Sequence, residues 1–273
     1  MCDVILVKLG GSVITDKTKP YTPRVDVIKR LVQEIHEARR EKDFGIVVGH
    51  GGGSYPHLPA KEYQTQLGII NEKSYEGIAK VQHAAATLNR LVVRELIAAK
   101  ENAMSIQLSS CSVAKNGKIY YMYLEPVKLL LKYNMVPVPY GDVGLDLEKG
   151  CSILSTEEVL RYIGENIHKI EKEFVPKKII VVGEVDGVFT GDPHKDKNVK
   201  LIPRISSDNI EEVGKYLAGS SGIDVTGGMK HKVEKMLELA EKGIKSQIIN
   251  GLVPGNLKKA LLDKKVKGTI IEV

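Results

Sequence analysis

Short runs of aliphatic residues alternate along the chain with longer stretches in which apolar positions recur every three or four residues. Residues 4–9 form a compact apolar run, interrupted by Lys8 and followed by Gly10-Gly11-Ser12. Residues 25–41 place Ile28, Leu31, Val32 and Ile35 at helical spacing, and residues 44–48 read as a buried strand ending in a glycine cluster. A long helix is predicted over 72–100, with Ile78, Val81, Ala85, Leu88, Val92 and Leu96 on one stripe. Residues 104–108 and 135–140 are further strand candidates. Between them Lys115-Asn116-Gly117-Lys118 carries the Asn-Gly signature of a tight hairpin, on which Tyr120, Tyr121 and Tyr123 are expected to be half-buried.

The second half keeps the same rhythm. Helices are predicted over 156–167 and 208–217, with a strand at 178–182 between them. Met229, Val233, Met236, Leu237 and Ala240 form the apolar face of another helix, followed by a strand at 246–249, a helix at 257–262 and an edge strand at 269–273. Such alternation predicts an α/β fold: a mostly parallel central sheet covered by helices on both faces. No linker rich in Pro, Gly or Ser divides the chain. The charged stretch 169–178 is the best candidate for a boundary between lobes.

Composition narrows the class. The chain has 273 residues, 42% hydrophobic and 27% charged, enough for a sizeable core and unlike a disordered or fibrous sequence. No apolar run approaches the ~20 residues of a membrane span, and Lys8 interrupts the N-terminal run too early for a signal peptide. Cys2, Cys111 and Cys151 are odd in number, far apart and in no metal-ligand spacing, which points to a reduced, cytoplasmic protein with no metal site of its own. The net charge of +6 is spread through mixed-sign stretches and reads mainly as solvated surface, with a basic cleft for polyanionic substrates as the second reading. With 3 Phe, no Trp and no recognition motif, nucleic-acid binding is not expected.

Glycine-rich turns are the candidate chemistry. They occur at Lys8-Leu9-Gly10-Gly11-Ser12, at Gly49-His50-Gly51-Gly52-Gly53-Ser54 and at Asp224-Val225-Thr226-Gly227-Gly228-Met229-Lys230. Glycine lets backbone N–H groups approach an oxyanion closely, and three such turns, two with a lysine beside them, read as a phosphate cradle. Neither the dinucleotide Gly-x-Gly-x-x-Gly fingerprint nor the Walker A spacing is present. Lys8 inside an apolar strand needs an anionic partner. Lys230 at a helix start sits where the dipole favours an anion instead. For Lys17, a surface pair with Asp16 competes with a ligand contact. Asp142 and Asp186 precede turn formers, so turn capping competes with a site role. His50 is expected to be buried and hydrogen-bonded, and His36, His83, His168, His194 and His231 carry no assigned role.

The segment Lys8-Leu9-Gly10-Gly11-Ser12-Val13-Ile14-Thr15-Asp16-Lys17 resembles the opening of the amino-acid kinase superfamily. So do His50-Gly51-Gly52-Gly53-Ser54-Tyr55-Pro56-His57, Pro139-Tyr140-Gly141-Asp142, Val185-Asp186-Gly187-Val188-Phe189 with Asp192-Pro193, and the 224–230 segment, in the family's order. Within that superfamily the chain is most similar to the isopentenyl phosphate kinases, with the fosfomycin kinases nearby.

The resemblance implies a single three-layer α/β/α domain over 1–273, with an acceptor-binding lobe at about 1–170 and a nucleotide-binding lobe at about 171–273. It implies phosphoryl transfer from ATP, with Mg²⁺, to a small phosphate monoester such as isopentenyl phosphate, in a homodimer. Lys8 and Lys230 would hold the transferring phosphoryl group, Lys17 would reach the nucleotide phosphates, His57 would bind the acceptor phosphate and Glu157 would orient the lysines. Gly10, Gly11, Ser12, Gly51, Gly52, Gly53, Ser54 and Asp142 would complete the acceptor side. Gly183, Glu184, Asp186, Gly187, Gly227 and Gly228 would complete the nucleotide side. In these kinases the long helix and the hairpin flank the acceptor, so the 72–100 stripe, core or dimer face otherwise, would offer Ile78, Val81, Ala85 and Leu88 to a short apolar tail. Gln82, His83 and Asn89 lie on the same helix.

Three segments depart from the pattern: Ser155-Thr156-Glu157-Glu158 replaces Ser-Gly-Asp-Asp, Gly183-Glu184-Val185-Asp186-Gly187 replaces Thr-Asp-Val-Asp-Gly, and Pro56 replaces a glycine. Two other readings accompany this one: a kinase of another phosphate or phosphonate, and a nucleotide-binding storage or regulatory protein without turnover.

Overall fold

The first apolar run becomes β1 (Cys2–Leu9), and its pleat sends side chains alternately into two separate cores. Val4 and Leu6 join one cluster, while Ile5, Val7 and Leu9 join the other. The computed structural model describes residues 1–193, 195–218 and 228–273, without the side chains of 217, 218 and 228–232. After β1 come α1 (Gly11–Ile14), α2 (Val25–Glu41), β2 (Gly45–His50), α3 (His57–Glu62), a 3₁₀ turn (Thr65–Leu67) and α4 (Lys73–Ala98). Then follow β3 (Ala103–Ile106), α5 (Leu108–Cys111), β4 (Ser112–Lys115), β5 (Lys118–Met122), α6 (Glu125–Lys132), β6 (Val136–Pro139), β7 (Asp142–Asp146) and β8 (Gly150–Leu154). The remainder is α7 (Thr156–Ile170), β9 (Phe174–Gly183), β10 (Val188–Phe189), β11 (Leu201–Ile202), β12 (Arg204–Ile205), α8 (Ile210–Ala218), α9 (Gly228–Ala240), β13 (Lys245–Asn250), α10 (Asn256–Leu261) and β14 (Gly268–Ile271).

Six strands form the central sheet in the order β12-β14-β13-β9-β1-β2, parallel except where β13 meets β14. A bridge from His50 to Tyr140 carries β2 toward the parallel pair β3–β6. The core on one face takes Ile28, Leu31, Leu88 and Leu257 from α2, α4 and α10; the other takes Leu160, Ile163, Val213 and Met236 from α7, α8 and α9. The expected α/β/α layering with a mostly parallel sheet is therefore the observed one. A second sheet, β5-β4-β7-β8, stands beside the first. Its hairpin turn has Asn116 and Gly117 at φ 52° and 79°, as the Asn-Gly signal requires.

Some expectations change. The 269–273 strand is not an edge: β14 lies between β13 and the two-residue β12. Tyr120, Tyr121 and Tyr123 are exposed rather than half-buried, because β5 packs through Ile119 and Met122 instead. The 169–178 stretch is the end of α7 and the start of β9, which pairs with β1 through a register shift opposite Pro176 and Lys178. Among the described residues, no helix is long and apolar enough to cross a membrane.

Candidate active site

The parallel strands β1, β2, β6 and β9 all deliver their C-terminal ends to one side of the sheet, where ligands of open α/β sheets bind. A cleft of about 270 Å³ opens there. Its floor is made by the glycine turns after β1 and β2, which lie backbone against backbone. A Cβ on Gly11 would come within 2.4 Å of the Gly53 nitrogen, and one on Gly10 within 2.5 Å of the Val182 carbonyl oxygen. Gly53 also sits at φ 56°, a conformation that favours glycine. Thr15, fully buried, clips the two turns together: its hydroxyl donates to the Gly11 carbonyl at 2.7 Å and accepts the Ser54 amide at 2.9 Å.

Lys8 lies at this floor with 8% of its surface exposed. Its ammonium donates to Glu157 Oε1 at 2.5 Å, 149 residues away in the chain. Glu157 occupies the first turn of α7, whose N-cap Ser155 accepts the Glu158 amide at 3.2 Å. The adjacent acid turns the other way. Glu158, 2% exposed, accepts the Ile119 amide of β5 at 3.2 Å and Nε and Nη2 of Arg161, and pairs with Lys235 of α9 at 3.6 Å. Burial alone would raise its pKa, but Arg161 and these donors hold the carboxyl below the usual range.

On one side of the floor, Pro56, His57 and Ala60 line the cleft from α3 and the loop before it, Val81 from α4, and Asp142, Ile153 and Leu154 from the second sheet. Pro56 has φ −80° and rests on Gly52, where a Cβ would meet its ring at 2.2 Å, so the proline at this departure fits a seat that only glycine provides. His57 follows it as the exposed first residue of α3. Asp142 is 2% exposed; burial pushes its carboxyl up to about 6 against the Ser109 and Val143 donors. It in turn helps burial raise the Cys111 thiol to about 11. On the other side, Gly183 ends β9, Glu184 and Val185 follow it, and Lys17 reaches in from the loop after α1.

Thus Lys8, Lys17, His57, Glu157, Gly10, Gly11, Ser12, Gly51, Gly52, Gly53, Asp142, Gly183 and Glu184 are brought to one cleft. Others are not. Ser54 turns away, its hydroxyl accepting the Thr22 amide at 3.2 Å. Asp186 is held by Lys267 at 2.5 Å and Asn250 at 3.1 Å, and a Cβ on Gly187 would strike Thr269 at 2.3 Å, so both brace the sheet's far strands instead. Gly227 lies outside the described residues, as does the side chain of Lys230; Gly228 enters only as the first residue of α9. Of the helical stripe only Val81 lines the cleft; Ala85 and Leu88 are core, and Ile78 packs beside Val81.

Asn89 does not face the cleft either. It donates to His50 Nε2 at 3.1 Å and to the Val138 carbonyl at 3.2 Å, while His50 Nδ1 meets the Gly51 carbonyl at 3.1 Å. His50 is the buried, bonded residue expected, and burial lowers its pKa to about 4.

The sequence matches the model of the amino acid kinase family over residues 3–250. The chain belongs to that family. It is 36% identical to the isopentenyl phosphate kinase of Methanothermobacter thermautotrophicus, with 98% of each chain covered. It is 26% identical to the molybdenum storage protein subunit beta of Azotobacter vinelandii, covering 98% of this chain and 86% of that one. A solved structure of isopentenyl phosphate kinase superposes with a TM-score of 0.82 at 32% identity, over 98% of this chain and 100% of the other.

Seen as a kinase cleft of that family, the site contains residues that sequence reasoning did not single out. Thr15 and Thr156 clip the floor, the latter by donating to the His50 carbonyl at 2.6 Å. Arg24 pairs with Glu184 at 3.0 Å. Only the spacing of Thr15 from Gly11 carried a local signal; the other partners are more than 100 residues apart.

Proposed function

We propose that this protein is an ATP-dependent kinase that phosphorylates isopentenyl phosphate. The observation that carries the reading is the buried Lys8, paired to Glu157, at the floor where the glycine turns of β1 and β2 meet the end of β9. Phosphoryl transfer asks a protein mainly to position two anions and to neutralise charge on the oxygens. Lys8 lies between the two sides of the cleft and supplies a cation that Glu157 holds in one place. Backbone amides of the glycine turns, His57 and Ser12 serve the acceptor phosphate. Lys17, Gly183 and the start of α9 with Lys230 serve the nucleotide. The apolar side chains of Ala60, Val81 and Ile153 suit a short hydrocarbon tail and offer no partners to a sugar or an amino acid.

On this reading the acceptor lobe is about 1–170 and the nucleotide lobe about 171–273, and the protein works in the cytoplasm. Exposed Ile97 on α4 and Met104 on β3 support a homodimer through that flank. Among the described residues, no group of three His, Cys, Asp or Glu side chains could hold a metal ion. Of the cleft carboxylates, Glu157 and Glu184 are already paired to cations, and Asp142 is buried against the Ser109 and Val143 amides. This donor set fits Mg²⁺ that arrives on the ATP phosphates, where it would neutralise oxygen charge, better than a resident metal.

The test is ATP consumption with isopentenyl phosphate, glycerol phosphate and a carboxylate acceptor. Preference for isopentenyl phosphate, with kcat falling by about 10²–10³ in Lys8→Ala, the scale of one lost electrostatic donor, is expected. Preference for glycerol phosphate would move the acceptor class, and nucleotide binding without turnover on any acceptor would favour the storage reading.

A further inference from the structure

The loop 16–23, which carries Lys17 to the lining of the cleft, is fastened at both ends. Internally it is a tight hairpin: Thr15 bridges Pro23, the Asp16 amide donates to the Thr22 carbonyl at 2.8 Å, and Asp16 Oδ1 accepts the Thr18 amide and hydroxyl at 2.9 and 2.7 Å. Toward the acceptor side it is held by the Thr22 amide on the Ser54 hydroxyl and by Tyr21 set edge-on against Tyr55, with ring centroids 5.4 Å apart. Toward the nucleotide side the side-chain tether is different in kind. Arg24, the residue before α2, donates from Nη1 to Glu184 Oε1 at 3.0 Å, both side chains one-third exposed.

Glu184 follows the last residue of β9 and stands where the resembling kinases carry an aspartate. An aspartate there would end one methylene shorter, whereas Glu184 meets the guanidinium at 3.0 Å. Arg24 also reaches electrostatically into the loop itself: the Asp16 carboxyl is held below its usual range first by Thr18, and further by Lys19 and Arg24.

We infer that Arg24 and Glu184 are a positioning pair, an ionic latch that fixes the Lys17 loop to the nucleotide side of the cleft and thereby sets ATP affinity. Glu184 is then not itself a nucleotide ligand; it acts through Arg24, and Arg24 acts through Lys17. The inference rests on the reading that ATP occupies the β9 side, but not on the identity of the acceptor.

The experiment is calorimetric titration of the full chain with MgATP, and separately with isopentenyl phosphate. Arg24→Met, Glu184→Gln and Glu184→Asp should each weaken MgATP about 2- to 5-fold, the scale of one half-exposed ion pair, and leave isopentenyl phosphate affinity within about 2-fold. The double variant Arg24→Met/Glu184→Gln should be no weaker than either single one, and the exchange Arg24→Glu/Glu184→Arg should recover most of the loss. In a Lys17→Met background, Arg24→Met should add no further loss. Additive losses, or an undiminished effect of Arg24→Met without Lys17, would mean that Arg24 touches the nucleotide directly and would overturn the latch. Failure of isopentenyl phosphate to bind the wild-type protein would instead fault the acceptor assignment and leave the MgATP comparison standing.

Discussion

Asp142→Asn isolates an electrostatic strain built into the cleft. Asp142 is buried, and its carboxyl titrates at about 6 rather than at its ordinary 3.8. A raised carboxylate pKa means that the folded state binds the proton more tightly than the unfolded chain. Stability from this group is therefore full below pH 3.8 and is lost as pH rises through 6. The gap corresponds to about 3 kcal/mol at 1.36 kcal/mol for each tenfold. His50 works in the opposite sense. Its pKa falls from 6.5 to about 4, so the unfolded chain takes the proton first and stability is lost as pH drops between those values, by about 3 kcal/mol.

Over roughly pH 4–6 the two slopes nearly cancel in the wild-type protein. Asp142→Asn removes one of them. The variant keeps one amide acceptor for Ser109 or Val143 and gives up about 1 kcal/mol of hydrogen bonding. Urea unfolding should find it about 2 kcal/mol more stable than wild type at pH 7.5 and about 0.5 kcal/mol less stable at pH 4, where the unfolded carboxyl is already half ionised. At the first pH that is a rise in Tm of a few degrees for a chain of this size. The decisive quantity is the change in that difference, about 2.5 kcal/mol between the two pH values, because a pH-independent hydrogen-bond loss drops out of it. A difference that stays constant across the range would show that Asp142 ionises as a solvated carboxyl and would refute the reasoning.

Other perturbations report on separate parts of the structure. Gly53→Ala forces a side chain into a positive φ and against the Thr15 hydroxyl 2.1 Å away, so unfolding should show a loss of about 1–3 kcal/mol. Glu158→Gln leaves Arg161 and Lys235 without their shared buried carboxylate, and a loss on the order of 3–5 kcal/mol is expected by denaturation; a loss under 1 kcal/mol would show that the network does not bind α7 to α9. His57→Ala should raise KM for isopentenyl phosphate on the order of tenfold, the value of one charge-assisted hydrogen bond, with KM for ATP within twofold. Equal changes in both constants would make His57 a structural residue.

The parts of the fold that were legible from sequence are those whose signal is local and long. Residues 25–41 form a helix with the predicted bounds because seventeen residues keep one period. The Asn116-Gly117 turn was legible because its φ values admit few other residues. The start of β9 was not: Pro176 and Lys177 look unlike a strand, yet the register shift against β1 leaves Lys177 unpaired there, so the break in pattern is absorbed. β12 was missed because two residues carry no period, and β7 and β8 because their glycines interrupt the alternation. In the site, the glycine turns and Lys8 announced themselves. The orientations of Ser54, Asp186 and Asn89 did not, because each is set by a partner more than 30 residues distant.

The Lys8–Glu157 contact has a consequence for how this chain changes under selection. Two ions are held with 8% of Lys8 exposed, between β1 and α7, in a place where the neighbouring positions Val4 and Leu6 are fully apolar. Replacing a buried ion pair by well-packed apolar residues is often neutral or stabilising by about 1–4 kcal/mol, whereas removing one member strands the other. A library screened only for heat resistance would thus drift toward paired losses, Met or Leu at both 8 and 157 together, and, on the role proposed for Lys8, would yield sturdy proteins that transfer nothing. A library screened for turnover would hold both charges. Co-loss under one regime and co-retention under the other would mark this pair as the place where durability and chemistry pull apart.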